Sequence, residues 1–391
     1  MRACLYQLFD PEVELKALGC DGTGISLMAP KARYYTIKLR QATLREALIL
    51  KQEALSQGAE AALPYSAVTL QAEKVDLLLM GTERQLEKMC SKLKLQPASL
   101  SSLGDEVAEI LRRSSRSMPH ELHLGRHRLP LGKRTLIMGI LNLTPDSFSD
   151  GGHYNRVETA VAHAYEMIEE GADIVDIGGE STRPGSKKVG LEEELDRVIP
   201  VIKALQSDPN FNTPLSIDTS KAAVARQALQ TGVSMVNDVW GLKADPQMAS
   251  VVAESGVPVC LMHNRTHTEY RDLVPDIITE LQESIDLARA AGIEDRQIII
   301  DPGIGFGKDL QQNLTVMNRL RDFRSLGYPI LLGTSRKSLI GKTLDLPVDE
   351  RLEGTAATVA YGIAAGADLV RVHDIREMRR VVQMTDAMVR R

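Results

Sequence analysis

Polar side chains recur at the ends of β-rich runs along the second two-thirds of the chain. They are Asn142, Asp176 and Glu180, Asp218, Asn237 and Asp238, His263, Asp301, Lys337, and finally Arg371 and His373. One such residue is ordinarily a cap or a satisfied turn; recurrence at equivalent places asks for another explanation. Asp218, Asn237, Asp301 and Lys337 together offer fixed acceptors, one amide and one cation. That set suits a flat heterocycle with N–H donors on one edge and a carbonyl on another. Met262 has the shape either to pack on such a ring or to fill core. Arg371 can make bidentate phosphate contacts, and His373 serves equally as a phosphate ligand or a packing residue.

The loops that follow these ends carry chemistry of their own. In "GESTRPGS" the extended Thr182-Arg183-Pro184 stretch reads as a plain loop or an anion contact, because Pro184 biases Arg183 toward extended backbone. In "TSRKSLIG" Ser338 opens a short helical segment whose N–H groups and hydroxyl can receive a carboxylate. "DPGIGFGKD" holds Phe306 between glycines, where an aromatic ring more readily walls a pocket than fills a core. "NLTPDSFSDGG" begins at Asn142 as an Asn-x-Thr glycan acceptor, which matters only in a secreted chain.

The elements that must position these residues form a regular series. From about Thr135 the runs are "TLIMGILN", "DIVDIGGES", "LSIDTS", "SMVNDVW", "PVCLMHN", "QIIIDPG", "PILLGTSRK" and "LVRVHD", eight in all. Amphipathic stretches such as "VETAVAHAYEMIEEGA" and "KAAVARQALQTGV" separate them, several ending on Gly before the next strand. Nearly continuous apolar strands fit either a (β/α)8 barrel or a doubly wound sheet. The count of eight and the polar residue at almost every strand end favour the barrel, where all strand C-termini share one mouth. No GxGxxG opens a helix after the first strand.

Residues 1–120 differ in texture. "RYYTIKLR" reads as a strand, "ATLREALILKQEALSQGA" as a helix, "YSAVTLQAEKVDLLLMG" as two strands and "TERQLEKMCSKLKL" as a Thr-capped helix. The fold expected is therefore α/β: a TIM barrel over residues 121–391 preceded by a small α+β domain plus linker over residues 1–120.

Composition excludes several classes. Hydrophobic residues at 43% and charged ones at 25% allow an ordinary globular core. A net charge of −5 without a basic stripe argues against nucleic-acid binding. The N-terminus lacks a signal-peptide core, and no apolar run is long enough to span a bilayer, so a cytoplasmic, membrane-free protein is expected. Cys4, Cys20, Cys90 and Cys260 lie far apart without metal-ligand spacing and read as reduced thiols.

Taken together, "TLIMGILNLTPDSFSDGG", "GADIVDIGGESTRPGS", "LSIDTSKAAVARQAL", "GVSMVNDVWG", "IIIDPGIGFGK", "GTSRKSLIG" and "ADLVRVHD" resemble the dihydropteroate synthase family. The resemblance covers roughly residues 133–391 and leaves the first domain outside. It implies that 6-hydroxymethyl-7,8-dihydropterin pyrophosphate and p-aminobenzoate are joined to 7,8-dihydropteroate, releasing pyrophosphate. It places Asp218, Asn237, Asp301 and Lys337 on the pterin, with Met262 packed against it. It puts Arg371 and His373 on the pyrophosphate and makes Asn142 a Mg²⁺ ligand. Phe148 and Asp150 would close over the site and meet Thr182, Arg183 and Pro184. Phe306 and Pro184 would sandwich the p-aminobenzoate ring, with Ser338 receiving its carboxylate. Family members are commonly homodimers and sulfonamide targets.

Two neighbouring readings differ in what they need. A methyltetrahydrofolate–corrinoid methyltransferase shares the barrel and the pterin set but has no use for "TSRKS", "STRPGS" or the pyrophosphate pair, all present here. A non-catalytic pterin-binding regulator is expected to lack the Mg²⁺ or p-aminobenzoate residues, and none is missing. Leu143 and Val233-Ser234 depart from the family pattern without touching an expected contact.

Overall fold

The computed structural model describes residues 10–115, 121–143, 153–180 and 189–390. The chain divides into two compact units, Met1–Ser115 and Arg116–Arg391.

In the first unit, helices α1 (Pro11–Ala17) and α2 (Gly22–Ala32) lead into strand β1 (Tyr34–Thr43) and helix α3 (Leu44–Ser56). Then come β2 (Glu60–Ala62), α4 (Tyr65–Val68), β3 (Lys74–Thr82), α5 (Glu83–Leu93) and α6 (Ala98–Ser115). The sheet order is β1-β3-β2, all antiparallel. Thr43 with Glu46, and Thr82 with Gln85, form capping boxes that start α3 and α5 immediately after their strands. Leu39, Leu50, Leu77, Leu79, Leu86 and Met89 are buried in one core between sheet and helices. The sequence reading needs one correction: Tyr65–Val68, expected as a strand, is a helical turn entered from Pro64, and the second strand lies earlier, at β2. Tyr65 and Val68 are exposed and only Ala67 is buried, so the β-forming side chains find no sheet face to cover.

The second unit begins with a hairpin, β4 (Glu121–Leu124) and β5 (His127–Pro130), that the sequence reading did not foresee. The barrel strands follow: β6 (Leu136–Asn142), β7 (Ile174–Gly178), β8 (Leu215–Asp218) and β9 (Met235–Asp238). They continue with β10 (Val259–Met262), β11 (Ile298–Asp301), β12 (Leu331–Leu332) and β13 (Leu369–Val372). All pair in parallel in the order β11-β10-β9-β8-β7-β6-β13-β12. A parallel bridge from Ile300 to Ile330 joins the two ends and closes the ring. Helices α7 (His153–Glu170), α8 (Leu191–Ser207), α9 (Ala222–Gln230), α10 (Met248–Ser255) and α11 (Leu273–Ala290) alternate with the strands. So do α12 (Leu310–Asn318), α13 (Ser338–Leu344), α14 (Leu352–Ala364) and α15 (Ile375–Val389).

Strand periodicity sorts every side chain to one of two places. Leu141, Ile177, Ile217, Val236, Leu261, Ile300 and Val370 join the core that includes the helices. Leu136, Ile174, Met235, Cys260, Ile299, Leu331 and Leu369 fill the barrel's own interior, together with Leu122 and Leu124 of the hairpin. The hairpin therefore seals the N-terminal end of the barrel. Counting two residues along each strand from that apolar layer brings Asp176, Asn237, Met262, Asp301 and Arg371 to the same side, toward the opposite end.

Candidate active site

The barrel interior closes above its apolar layer with a charged one. Arg371 Nε donates to Asp176 Oδ2 at 2.6 Å, and Arg371 Nη2 donates to Asp218 Oδ2 at 2.8 Å. Asn237 Nδ2 donates to Asp176 Oδ2 at 3.0 Å. Both carboxylates are buried and the guanidinium nearly so. One cation thus serves two acids. Burial pushes the Asp218 carboxyl up to about 7, with Arg371 opposing and the Asp176 charge adding to the rise.

Three buried polar atoms among the described residues lack a hydrogen-bond partner: Asp176 Oδ1, Asp218 Oδ1 and Ser216 Oγ. Native interiors rarely leave such atoms unmade, so a cluster of them at the mouth of a barrel marks where a ligand's donors belong. Asp218 and Ser216 lie two apart on β8, hence on one face, and Asp176 is the register partner of Ser216 on β7. Two carboxylate oxygens side by side ask for two N–H donors on one edge of a ligand.

Asp301, at the end of β11, accepts from Gly303 N–H at 2.7 Å, and its carboxyl is raised by burial against the pull of Lys337. Lys337 precedes α13, lies 4.5 Å over the Phe306 ring and donates to Ile304 O. Its ammonium is lowered to about 8 by burial, with Asp301 opposing. A Cβ built on Gly333 would lie 3.8 Å from Lys337 Nζ and 3.9 Å from Arg371 Cβ, so the two cationic side chains flank one glycine. The site thus collects three carboxylates and two cations. Met262, buried at the end of β10, pairs in register with Asp301.

The remaining expected residues fall on the rim. A Cβ built on Gly178 would meet Asn142 Oδ1 at 3.7 Å and Asp218 Oδ2 at 3.7 Å, which brings Asn142 to the edge of the carboxylate pair. His373 Nδ1 lies 3.0 Å from Ser335 Oγ, which also accepts the His373 backbone N–H at 3.2 Å. Ser335 Oγ thus holds both the ring and the backbone of His373. Ser338 is the exposed first residue of α13. Phe148, Asp150, Thr182, Arg183 and Pro184 lie outside the described residues.

Three of the strand-end residues turn elsewhere. Asp238 accepts from the N–H groups of Trp240 and Leu242 at 2.9 and 2.7 Å, a turn built around its carboxylate. His263 bonds Glu280 and Lys308. Glu180, two residues beyond the end of β7, pairs with Lys221, which also holds the buried Glu194. Arg336 was overlooked in the sequence: its φ of 56° is left-handed without being glycine. An ion pair with Asp374, Thr355 Oγ1 on its N–H at 3.1 Å and Arg351 on its carbonyl at 3.0 Å hold that backbone, and with it the direction in which Lys337 leaves.

A closed eight-stranded barrel with a donor-hungry acidic floor at its C-terminal mouth is the site of a heterocycle-binding enzyme. The chain belongs to the pterin-binding enzyme family, which it matches over residues 138–373. It is 56% identical over 271 residues to the dihydropteroate synthase of Clostridium beijerinckii, covering 69% of this chain and 100% of that one. A crystal structure of dihydropteroate synthase from Clostridium difficile in the presence of pteroic acid superposes with a TM-score of 0.66 at 53% identity. That alignment covers 67% of this chain and 100% of the other. The Xanthomonas albilineans dihydropteroate synthase with 4-aminobenzoic acid superposes with a TM-score of 0.65 at 42% identity, over 69% of this chain and 98% of that one. Its place in the family is therefore with the dihydropteroate synthases. A probable bifunctional folylpolyglutamate synthase/dihydropteroate synthase of Halobacterium salinarum is 42% identical over 373 residues, 93% of this chain and 44% of that protein. A match of that span takes in most of the first unit as well. No helix among the described residues is long and apolar enough to cross a membrane.

Proposed function

We propose that the barrel condenses 6-hydroxymethyl-7,8-dihydropterin pyrophosphate with p-aminobenzoate, using the acidic floor for the pterin and the rim for the other two groups. The unpartnered Asp176 Oδ1 and Asp218 Oδ1 carry this reading, because a pterin presents adjacent N–H donors on one edge. Asn237, Asp301 and Lys337 complete the ring's hydrogen bonds, and Met262 packs on its face. Arg371 has two of its donors on carboxylates and turns the rest, with the His373 ring, toward the pyrophosphate.

The reaction breaks the C–O bond between the pterin methylene and the pyrophosphate, and the electron pair leaves with oxygen. The floor's carboxylates, in the fraction that is ionised, stabilise the positive methylene so formed, Asp218 most fully above about pH 7. The neutral aromatic amine then forms the C–N bond and loses a proton, so no strong general base is needed. Phe306 walls the p-aminobenzoate ring and Ser338 receives its carboxylate. Thr182, Arg183, Pro184, Phe148 and Asp150 are assigned to closure over the site from the resemblance alone. Sulfonamides, as p-aminobenzoate mimics, belong in the same subsite.

Magnesium fits the residues present in one way. No group of three His, Cys, Asp or Glu among the described residues suits a metal, whereas Asn142 Oδ1 stands at the rim beside Asp218. Mg²⁺ keeps most of its waters and accepts one protein oxygen plus substrate phosphates. Asn142 would hold it, and when bound it neutralises charge on the departing pyrophosphate. A homodimer belongs to the same reading, supported by Tyr361, Met384, Met388 and Val389, exposed apolar residues of the adjacent helices α14 and α15.

Purified protein is expected to release pyrophosphate only when the pterin pyrophosphate, p-aminobenzoate and Mg²⁺ are all supplied. Asp218→Asn is expected to abolish pterin binding by calorimetry while the protein stays folded. Unchanged pterin affinity in that variant defeats the assignment of the floor.

A further inference from the structure

Lys308 stands apart from the ring of strand-end side chains, yet its ammonium is buried and has all its donors placed. Nζ donates to Gly303 O at 2.9 Å, to Phe306 O at 2.9 Å and to His263 Nδ1 at 3.0 Å. An ammonium has three protons, and three acceptors take them. While Lys308 is charged its third proton goes to His263 Nδ1, and Nε2 then carries the hydrogen that meets Glu280 Oε2 at 3.2 Å; burial lowers the ammonium to about 7. Glu280, on α11, is held in turn by Arg265. A continuous polar chain therefore runs from a barrel helix to the loop after β11.

Other contacts hold that loop as well: Asp301 and Asn313 accept the N–H groups of Gly303 and Gly305 at 2.7 and 2.6 Å, Tyr270 donates to Gly307 O at 2.8 Å, and Lys337 donates to Ile304 O. Gly303, Gly305 and Gly307 are all left-handed, with φ of 70°, 86° and 55°, and of the residues between them only Ile304 packs into the core. Phe306 N–H returns to Gly303 O at 3.1 Å, which makes a turn whose two carbonyls, Gly303 and Phe306, converge on Lys308. Of the turn's two large side chains, Ile304 is buried in the core, whereas Phe306 places its ring under Lys337 Nζ. Lys308 grips the backbone of this turn and Lys337 covers its ring.

We propose that Lys308 is a positioning residue for the amine substrate: by clamping the Gly303 and Phe306 carbonyls it sets the Phe306 ring as one wall of the p-aminobenzoate subsite. This rests on the reading of Phe306 as that wall. A buried cation is costly unless its partners are worth it, and here its partners are the two carbonyls that aim the ring.

The test is a double-variant cycle on the full chain, with KM measured separately for p-aminobenzoate and for the pterin pyrophosphate. Lys308→Met is expected to raise KM for p-aminobenzoate at least tenfold and to leave KM for the pterin pyrophosphate within threefold. Phe306→Ala should raise the same KM, and the double variant should be no worse than the worse single one, because both act on one ring. Lys308→Arg, which keeps donors for both carbonyls, should recover most of the loss. Should Lys308→Met be insoluble, Lys308→Gln takes its place, with an expected three- to tenfold rise. Multiplicative effects in the double variant, equal rises in both KM values, or no change would overturn the proposal. If Phe306→Ala itself leaves KM for p-aminobenzoate unchanged while wild type turns over, the wall assignment has failed and takes this proposal with it. If wild type does not turn over at all, the fault lies in the proposed reaction.

Discussion

Replacing Arg371 by Met separates charge compensation from packing. The guanidinium is the only hydrogen-bonding cation on Asp176 and Asp218 among the described residues, and the two carboxylates are 0% and 4% exposed. Methionine keeps much of the stem's volume and removes the charge. Stripping one partner from a buried ion pair costs about 3–5 kcal/mol while the stranded acid stays ionised. The cost has a pH dependence whose sign is fixed by the direction of the shifts. Asp218 is already raised to about 7 with Arg371 present, and loses its principal opposing influence without it. A carboxyl with a raised folded-state pKa contributes its stability at low pH and loses it as pH rises through that value, by about 1.4 kcal/mol per pH unit for each ionising group. Wild type and variant both keep the Asp218 proton up to about pH 7, so the deficit of Arg371→Met should be level below that value and about 1.4 kcal/mol larger at pH 8 than at pH 5. Urea unfolding followed by tryptophan fluorescence measures this directly. The sole tryptophan, Trp240, lies in the barrel unit and reports that transition alone. A deficit equal at both pH values to within about 0.5 kcal/mol would refute the reasoning, since lost packing does not titrate.

Three further outcomes are expected. His263 is held down to about 4 by burial, against the pull of Glu280, so its contribution is complete above the ordinary histidine value and is lost as pH falls toward 4. Wild type should lose roughly 3 kcal/mol over that window beyond the loss seen for His263→Gln, as read from urea midpoints at several pH values. Gly303→Ala would set a Cβ 1.9 Å from His263 O at a left-handed φ, and should cost at least about 2 kcal/mol by thermal unfolding. Removing residues 1–115 should leave kcat within about twofold in a steady-state assay, because the Clostridium beijerinckii enzyme aligns over its whole length to 69% of this chain.

Most of the barrel was legible because its signals are local. A parallel strand buried on both faces reads as an apolar run, and the residue ending it declares itself by polarity. Asp218, Asn237, Asp301, Lys337 and Arg371 were found that way. What the sequence hid depends on which way a side chain turns beyond a strand end. Asp238 and His263 look as catalytic as their neighbours, yet one builds a turn and the other serves Lys308. Asp176 and Ser216 sit within or below strand ends, and only the register of β7 against β8 brings their unpartnered atoms beside Asp218. The β4–β5 hairpin and the helical turn at Tyr65 were missed because short elements are decided by what they pack against.

The hairpin under the barrel has a consequence for traffic. With Leu122 and Leu124 plugged into the apolar layer, the barrel is a cul-de-sac. Everything enters and leaves by the mouth. On the proposed function the acidic floor lies deepest and Phe306 and Ser338 lie nearer the entrance, so the second substrate stands in the doorway of the first. Binding then has a compulsory order: pterin pyrophosphate enters before p-aminobenzoate, and a dead-end analogue of the amine traps whatever lies beneath it.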